Sequence, residues 1–368
     1  MSKISTKTGP QFELRPNLAP RLAAARQAGL GSAPFGSVFT DHMVAIDWTQ
    51  AGGWSGHRVE PYGPLNLPPA AAVLHYAQEI FEGLRAYRWA DGSIRAFRPW
   101  ANAERFARSA RRYALPELPL DDFVGSLEAL MQVDDGWVPS EDDMSLYVRP
   151  FMFASEAFVG VRPARQVSFL VIASPVGRYF TGGPAPVAIW VDTEHSRAAP
   201  GGTGAAKGGG NYAGSLLSQV QAYEHGCQQV LFLDAATSTH LEELGGMNVF
   251  VVTADGEALT PPTGGTILEG VTRASVMQLV RDRGQSVVER PIALSWLLDA
   301  LASGEVTEVF ACGTAAVITP VGRLVGNGFD VTVADGAAGA LTMSLLDELT
   351  GIQFGRLADK HGWTHRLA

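Results

Sequence analysis

An apolar run at residues 168–176 (SFLVIASPV) reads as a buried strand, and it gives way at once to 177–184 (GRYFTGGP), a stretch of loop-forming residues ahead of a new strand at 187–191. A break of that kind near the midpoint divides the chain. We place a linker at 178–185, a smaller N-terminal α/β domain at 1–177 and a larger C-terminal domain at 186–368. The length of 368 residues agrees, since a domain typically takes ~100–200.

Composition narrows the function classes. With 46% apolar residues the chain can bury substantial cores, and a formal net charge of −9 repels phosphate, so neither nucleic acid nor an anionic membrane is an expected partner. Small molecules are. The N-terminus lacks the basic and apolar regions of a secretory leader, and no segment reaches ~18 uninterrupted apolar residues, so a cytoplasmic protein is expected. Cys227 and Cys312 lie far apart and read as reduced core residues. His361 and His365 are four apart but have no acidic companions, which gives no metal site.

Strand patterns fall at 43–48, 84–89, 94–97, 145–150 and 167–173, with helices over 99–112 and 121–131. Beyond the linker, strands at 187–192, 228–234, 247–253, 306–311, 316–319 and 329–333 alternate with helices at 212–224, 272–283, 294–302 and 338–350. Both halves are mixed α/β (α+β). Neither opens on a strand, G-x-G-x-x-G and helix, which argues against a nicotinamide enzyme.

Against 24 arginines the chain has four lysines, and three of them, Lys3, Lys7 and Lys360, lie near the termini. Lys207 stands alone in a central segment, 201–212 (GGTGAAKGGGNY), with six glycines. This is not a phosphate-cradling P-loop, because Gly208 follows the lysine where Ser or Thr is needed. A lysine in a partly desolvated site loses proton affinity and becomes a nucleophile for a carbonyl. Three further segments carry chemistry. In 241–249 (LEELGGMNV) a pair of glutamates precedes a strand, and a carboxylate there can keep a basic ring nitrogen protonated. In 267–273 (ILEGVTR) a glycine precedes a helix start, whose amides suit a phosphate. Arg98, before another helix start, can add a charge-assisted bond, and 311–316 (ACGTAA) is a small-residue turn able to meet an anion.

Taken with 39–43 (FTDHM), 75–77 (HYA), 81–83 (FEG), 97–100 (FRPW), 147–150 (YVRP), 209–212 (GGNY) and 270–273 (GVTR), these segments resemble the branched-chain amino-acid aminotransferases, class IV enzymes of the pyridoxal-phosphate fold type IV. The resemblance runs from about Phe35 to the C-terminal region. It implies a two-domain, D-amino-acid-aminotransferase-like fold with the cofactor between the domains, a homodimer, and pyridoxal 5′-phosphate bound at Lys207 as an aldimine. Lys207 would also shuttle the proton between the substrate Cα and the cofactor. Glu243 would pair with the pyridine nitrogen, and Tyr212 with the phenolic oxygen. Leu268 would pack on the ring, while Arg98, Val271, Thr272 and Thr314 would hold the phosphate and Arg197 would lie near it. Phe35, Phe81, Tyr212 and Tyr179 would surround an aliphatic side chain, Tyr76 with the Thr314–Ala315 turn would receive the α-carboxylate, and Tyr147 and Arg149 would help accept glutamate.

The implied reaction moves an amino group between L-leucine, L-isoleucine or L-valine and 2-oxoglutarate, so the partners are amino acids and 2-oxo acids. Two departures stand out. Vertebrate members carry a C-x-x-C pair where this chain has Ala316 and Thr319, and a Thr where it has Gly246. A redox switch is therefore not expected, and the pocket is expected to be roomier. A non-catalytic binding protein on the same fold would have been favoured by loss of the lysine or the glutamate; both are present.

Overall fold

A computed structural model of the chain describes residues 2–21, 26, 35–141, 143–177 and 185–368. In chain order the elements are β1 (Ser2–Ser5), β2 (Gln11–Leu14), β3 (His42–Thr49), β4 (Gly53–Pro61), the single turn α1 (Val73–Tyr76), β5 (Glu79–Phe81), β6 (Leu84–Arg88), β7 (Ile94–Phe97), α2 (Pro99–Arg112), α3 (Leu120–Val133), β8 (Ser145–Ala154) and β9 (Gln166–Val176). There follow β10 (Val187–Asp192), α4 (Gly209–Ala213), α5 (Leu216–Glu224), β11 (Gln229–Leu233), β12 (Leu241–Leu244), β13 (Asn248–Thr253), β14 (Ala258–Thr260), α6 (Val271–Asp282), β15 (Val287–Glu289), α7 (Leu294–Ser303), β16 (Val306–Gly313), β17 (Val317–Gly326), β18 (Phe329–Thr332), α8 (Ala340–Gln353) and β19 (Thr364–Arg366). They form two compact units, Met1–Tyr179 with Gly351–Ala368, and Phe180–Thr350.

The first unit is built on a sheet ordered β1-β2-β4-β3-β9-β8-β6-β7-β19, with β5 paired to β8. Period-two alternation decides its faces. Val44 and Ile46 of β3 enter the main core beside Phe106, Phe123 and Phe169, while Met43 and Ala45 join Phe153 and Leu170 in a second cluster. Helix α2 starts at Pro99, whose fixed φ suits the first helical position. It buries Ala103, Phe106, Ala107 and Ala110 at three- and four-residue spacing. Phe106 meets Phe123 of α3 at 5.4 Å and Phe169 of β9 at 5.6 Å between ring centroids.

The second unit carries the order β12-β11-β10-β17-β16-β13-β14-β15, with β18 on β17. Strand β10 runs parallel to both neighbours. It is buried on both faces, Ile189 and Val191 in one cluster and Trp190 in another. All six residues of β13 are buried, so it reads as a continuous apolar run with no alternation. Among the described residues, no helix is long and apolar enough to cross a membrane.

Three expectations are corrected. The helix expected over 212–224 is broken into α4 and α5 around Gly214 and Ser215. Leu241–Leu244, read only as a lead into the strand that follows, is itself a strand with all four residues buried. Residues 351–368, expected in the C-terminal domain, join the first unit. The reason is pairing: β19 lies antiparallel to β7, Thr364 opposite Phe97, His365 Nε2 donates to the Glu128 carboxylate at 2.8 Å, and Leu367 is buried in the first core. Residues 178–184 of the expected linker lie outside the described residues.

Candidate active site

In the second unit, Lys207 ends a glycine-rich loop just ahead of α4, and its Nζ donates to the Tyr212 hydroxyl at 2.8 Å. Both side chains are half-buried. Asn211, which sequence reasoning did not single out, shapes the loop. Its Nδ2 donates to the carbonyls of Thr203 (2.8 Å) and Ala206 (2.9 Å), while its Oδ1 accepts from the Thr203 hydroxyl at 2.7 Å. The lysine backbone is thus held by side-chain bonds where so many glycines would otherwise leave it loose.

Glu243 is brought into the same unit on β12. Its Oε1 accepts from the Leu268 amide at 2.8 Å and faces Arg197 Nη2 at 2.5 Å; its Oε2 accepts from Asn248 Nδ2 at 3.3 Å. Burial pushes the Glu243 carboxyl up to about 7, with Arg197, the Leu268 amide and nearby Lys207 pulling the other way. Glutamates before a strand are ordinarily solvated, but both of these are buried because they lie within β12. Glu242 differs from its neighbour in having an Oε2 with no hydrogen-bond partner, and burial raises its pKa.

The resemblance places Arg197 near a phosphate. Here its Nη2 is spent on the Glu243 carboxylate and on the carbonyls of Gly204 (3.0 Å) and Thr266 (2.5 Å), so it steadies the carboxylate. Asn248 is a second residue that sequence reasoning missed. Its amide also donates to the Leu268 carbonyl at 3.1 Å, tying the Leu268 segment to Glu243. A Cβ on Gly270 would strike the Asn248 carbonyl oxygen, so only glycine lets α6 begin this close. Val271 and Thr272, both buried, form the first turn of α6, and Gly270 supplies no capping side chain.

Strand register brings in the remaining turn. Asn248 of β13 lies opposite Cys312 of β16, so Thr314 and Ala315 lie off the same strand ends as the Gly245–Gly246 bend that follows β12. Cys312 is fully buried and its thiol is pushed up to about 12. With no thiolate at neutral pH, it is expected to resist mild peroxide and alkylation in the folded protein, and activity is expected to show no reversible loss. Reversible inactivation accompanied by a Cys227–Cys312 disulfide on a mass map would contradict this.

The first unit gathers a second set. Arg149 Nη2 donates to the Tyr147 hydroxyl at 2.9 Å, and its guanidinium lies over the Phe81 ring at 4.6 Å. Phe35 meets Tyr147 edge to face at 5.1 Å. A Cβ on Gly83 would collide with the Tyr147 hydroxyl, so the glycine after Glu82 is what allows this ring its place. Glu82, wholly buried, is clamped by Arg105 through bonds of 2.7 and 2.8 Å, which fixes the Phe81–Gly83 corner. Tyr76 is partly exposed, and its hydroxyl donates to the Val159 carbonyl. Arg98 precedes α2 in the left-handed region, φ 50°. Tyr179 lies outside the described residues.

Among the described residues, no group of three or more His, Cys, Asp or Glu could hold a metal ion. The chemistry available is that of an amine beside a phenol, with a buried carboxylate and a helix start in the same unit. Comparison with known proteins agrees. The family model described as amino-transferase class IV matches residues 79–324. The branched-chain-amino-acid aminotransferase of Mycobacterium tuberculosis (strain ATCC 25618 / H37Rv) is 54% identical over 361 residues, 97% of this chain and 98% of that protein. The enzyme of the same name from Mycolicibacterium smegmatis is 53% identical over 365 residues, 98% of this chain and 99% of its own. Among solved structures, Escherichia coli branched-chain amino acid aminotransferase superposes with a TM-score of 0.74 at 28% identity, covering 88% of this chain and 99% of that one. The branched-chain amino acid aminotransferase of Thermobaculum terrenum, solved in its PLP-form, shares the fold with a TM-score of 0.72 at 23% identity, with 89% of this chain and 98% of that one covered. This chain belongs to the class IV amino-transferases, and within them to the branched-chain-amino-acid aminotransferases.

Proposed function

We propose that the protein moves the amino group between L-leucine, L-isoleucine or L-valine and 2-oxoglutarate, with pyridoxal 5′-phosphate as its cofactor. The observation that carries this reading is Lys207 Nζ on the Tyr212 hydroxyl at 2.8 Å, in the unit that also buries Glu243. The donor set fits the cofactor group by group: an amine for its aldehyde, a phenol for its ring hydroxyl, a carboxylate for its ring nitrogen and a helix start for its phosphate. When bound, pyridoxal phosphate supplies the electron sink that weakens the substrate Cα–H bond.

The residues divide the work. Lys207 Nζ holds the cofactor and then takes the proton from the substrate Cα. Glu243 keeps a proton on the ring nitrogen, with Arg197 and Asn248 steadying its carboxylate. Leu268 would pack on the ring, and the amides of Val271 and Thr272, the Thr314 hydroxyl and Arg98 would hold the phosphate. Phe35, Phe81, Tyr179 and Tyr212 would enclose an aliphatic side chain, and the Thr314–Ala315 turn would receive the α-carboxylate, joined by Tyr76 once its hydroxyl turns from the Val159 carbonyl. Because the Tyr147 hydroxyl accepts from Arg149, its own proton stays available to donate to the γ-carboxylate of glutamate.

A panel of kcat/KM values tests the reading. At about 0.8 kcal/mol per buried methylene, leucine should exceed L-alanine roughly 50-fold, with isoleucine and valine close behind. Aspartate would be desolvated without compensation and should trail. A Cβ at Gly246 would sit 3.6 Å from Tyr212 Cε1, so its absence leaves room for spill-over to methionine and phenylalanine. A preference for D-alanine or aspartate would overturn the assignment.

We infer a homodimer as well. Its support is the outer face of α5, where Leu216, Leu217, Val220 and Tyr223 are all at least 51% exposed, a grouping that monomers seldom present to water. Sedimentation should give a dimer at micromolar concentration, and a fully active monomer would contradict it.

A further inference from the structure

Arg98 is bound at both of its backbone ends, and one clamp comes from the last residues of the chain. Its amide donates to the Trp363 carbonyl at 2.6 Å. Its carbonyl accepts from the Asn102 amide at 3.3 Å and from Asn102 Nδ2 at 3.0 Å. Asn102 is in turn oriented by Arg105, whose Nη2 donates to its Oδ1 at 3.3 Å while gripping Glu82. These bonds hold a non-glycine residue at φ 50°, ψ 45°, a conformation that a β-carbon ordinarily avoids. The guanidinium lies over the Trp363 ring at 5.4 Å.

The tail is built to present that ring. Asp359 accepts from the Thr364 amide (2.7 Å) and hydroxyl (2.9 Å) and from the His361 amide (3.3 Å), and these bonds lower its pKa against the effect of burial. Gly362 turns through φ 65°, His361 stacks on Trp363 at 4.5 Å, and Phe97 meets its edge at 5.5 Å. The pairing of β19 with β7 then fixes Trp363 opposite the residue that follows Phe97. A tail needed only to close the sheet could carry any residue ahead of β19; this one places the face of an indole under a cation.

We infer that Trp363 is a positioning residue for Arg98, aiming its guanidinium at the phosphate of the cofactor. This rests on the reading of Arg98 as a phosphate ligand. An arginine that is stacked and fixed at its backbone loses less freedom when it pairs bidentately with a phosphate. The tail thereby contributes to cofactor retention without touching the cofactor.

The test titrates the full-length chain, freed of cofactor, with pyridoxamine 5′-phosphate and with pyridoxamine, which lacks the phosphate and, like the first, forms no bond to Lys207. W363L is expected to weaken pyridoxamine 5′-phosphate roughly threefold to tenfold, the range of a lost cation–π contact plus a poorer charge-assisted bond, and W363F less. Pyridoxamine should bind all three proteins alike. In the R98A background W363L should have no further effect. Equal weakening of both ligands, or no change in either, would overturn the proposal, and if W363L fails to fold, W363F carries the same comparison. R98A that keeps the full preference for the phosphorylated ligand would instead sink the reading of Arg98 itself.

Discussion

Lys207→Ala is expected to cut transamination by on the order of 10⁴-fold and to remove the visible absorbance of the bound cofactor. No other lysine is expected to substitute, since Lys3, Lys7 and Lys360 are all exposed and lie near the termini. Lys207→Arg should fail almost as badly, because a guanidinium does not give up its proton to become a nucleophile. The loop itself should survive both changes. Asn211 binds Thr203 and Ala206 without help from the lysine side chain, so thermal unfolding of the cofactor-free protein should shift little. A loss of activity accompanied by a large loss of stability would point to a structural lysine, and substantial residual turnover would assign the chemistry elsewhere.

The ease of finding Lys207 in the sequence has a physical basis. Glycines around a lone lysine in an arginine-rich chain are a local, one-dimensional signal, as are Pro99 opening α2 and the apolar runs of β9, β10 and β13. Other features were hidden because they depend on which segments meet. Strands β1, β2, β14 and β15 are three or four residues long, too short for alternation to register. The burial of Glu242 follows from β12 being a strand, which the turn-forming residues after it obscured. The return of residues 351–368 to the first unit rests on the pairing of β19 with β7, whose partners are more than 260 residues apart. The contacts of Arg197, Asn248 and Arg105 cannot be read from any one segment; each matters through the buried carboxylate or carbonyl that its amide or guanidinium reaches. Segments with a local pattern were legible, whereas the side chains that reach them from elsewhere in the chain were not.

Glu243→Gln is expected to lower the rate of the half-reaction with leucine on the order of 100-fold, the cost of losing a charge-assisted bond to the ring nitrogen in a buried site. The neighbouring carboxylate provides the control. Glu242 has an oxygen without a partner and a pKa raised by burial, so Gln there removes little, and Glu242→Gln should stay within a few-fold of the parent. A larger loss at Glu242 would show that the wrong carboxylate had been assigned. The two variants also differ in a measurement that needs no catalysis. Burial lifts the Glu243 carboxyl from 4.5 to about 7 in the cofactor-free fold. A group with a raised folded-state pKa favours the native state below its unfolded value, and that contribution is lost as pH rises through the folded value. Between pH 4.5 and about 7 it therefore makes the unfolding free energy fall with pH, and Glu243→Gln should flatten that slope. Binding the cofactor should flatten it as well, because a protonated ring nitrogen beside the carboxylate draws its pKa back down. If the slope persists in Glu243→Gln, another group titrates in that range and Glu243 is not the carboxylate whose charge the bound ring stabilises.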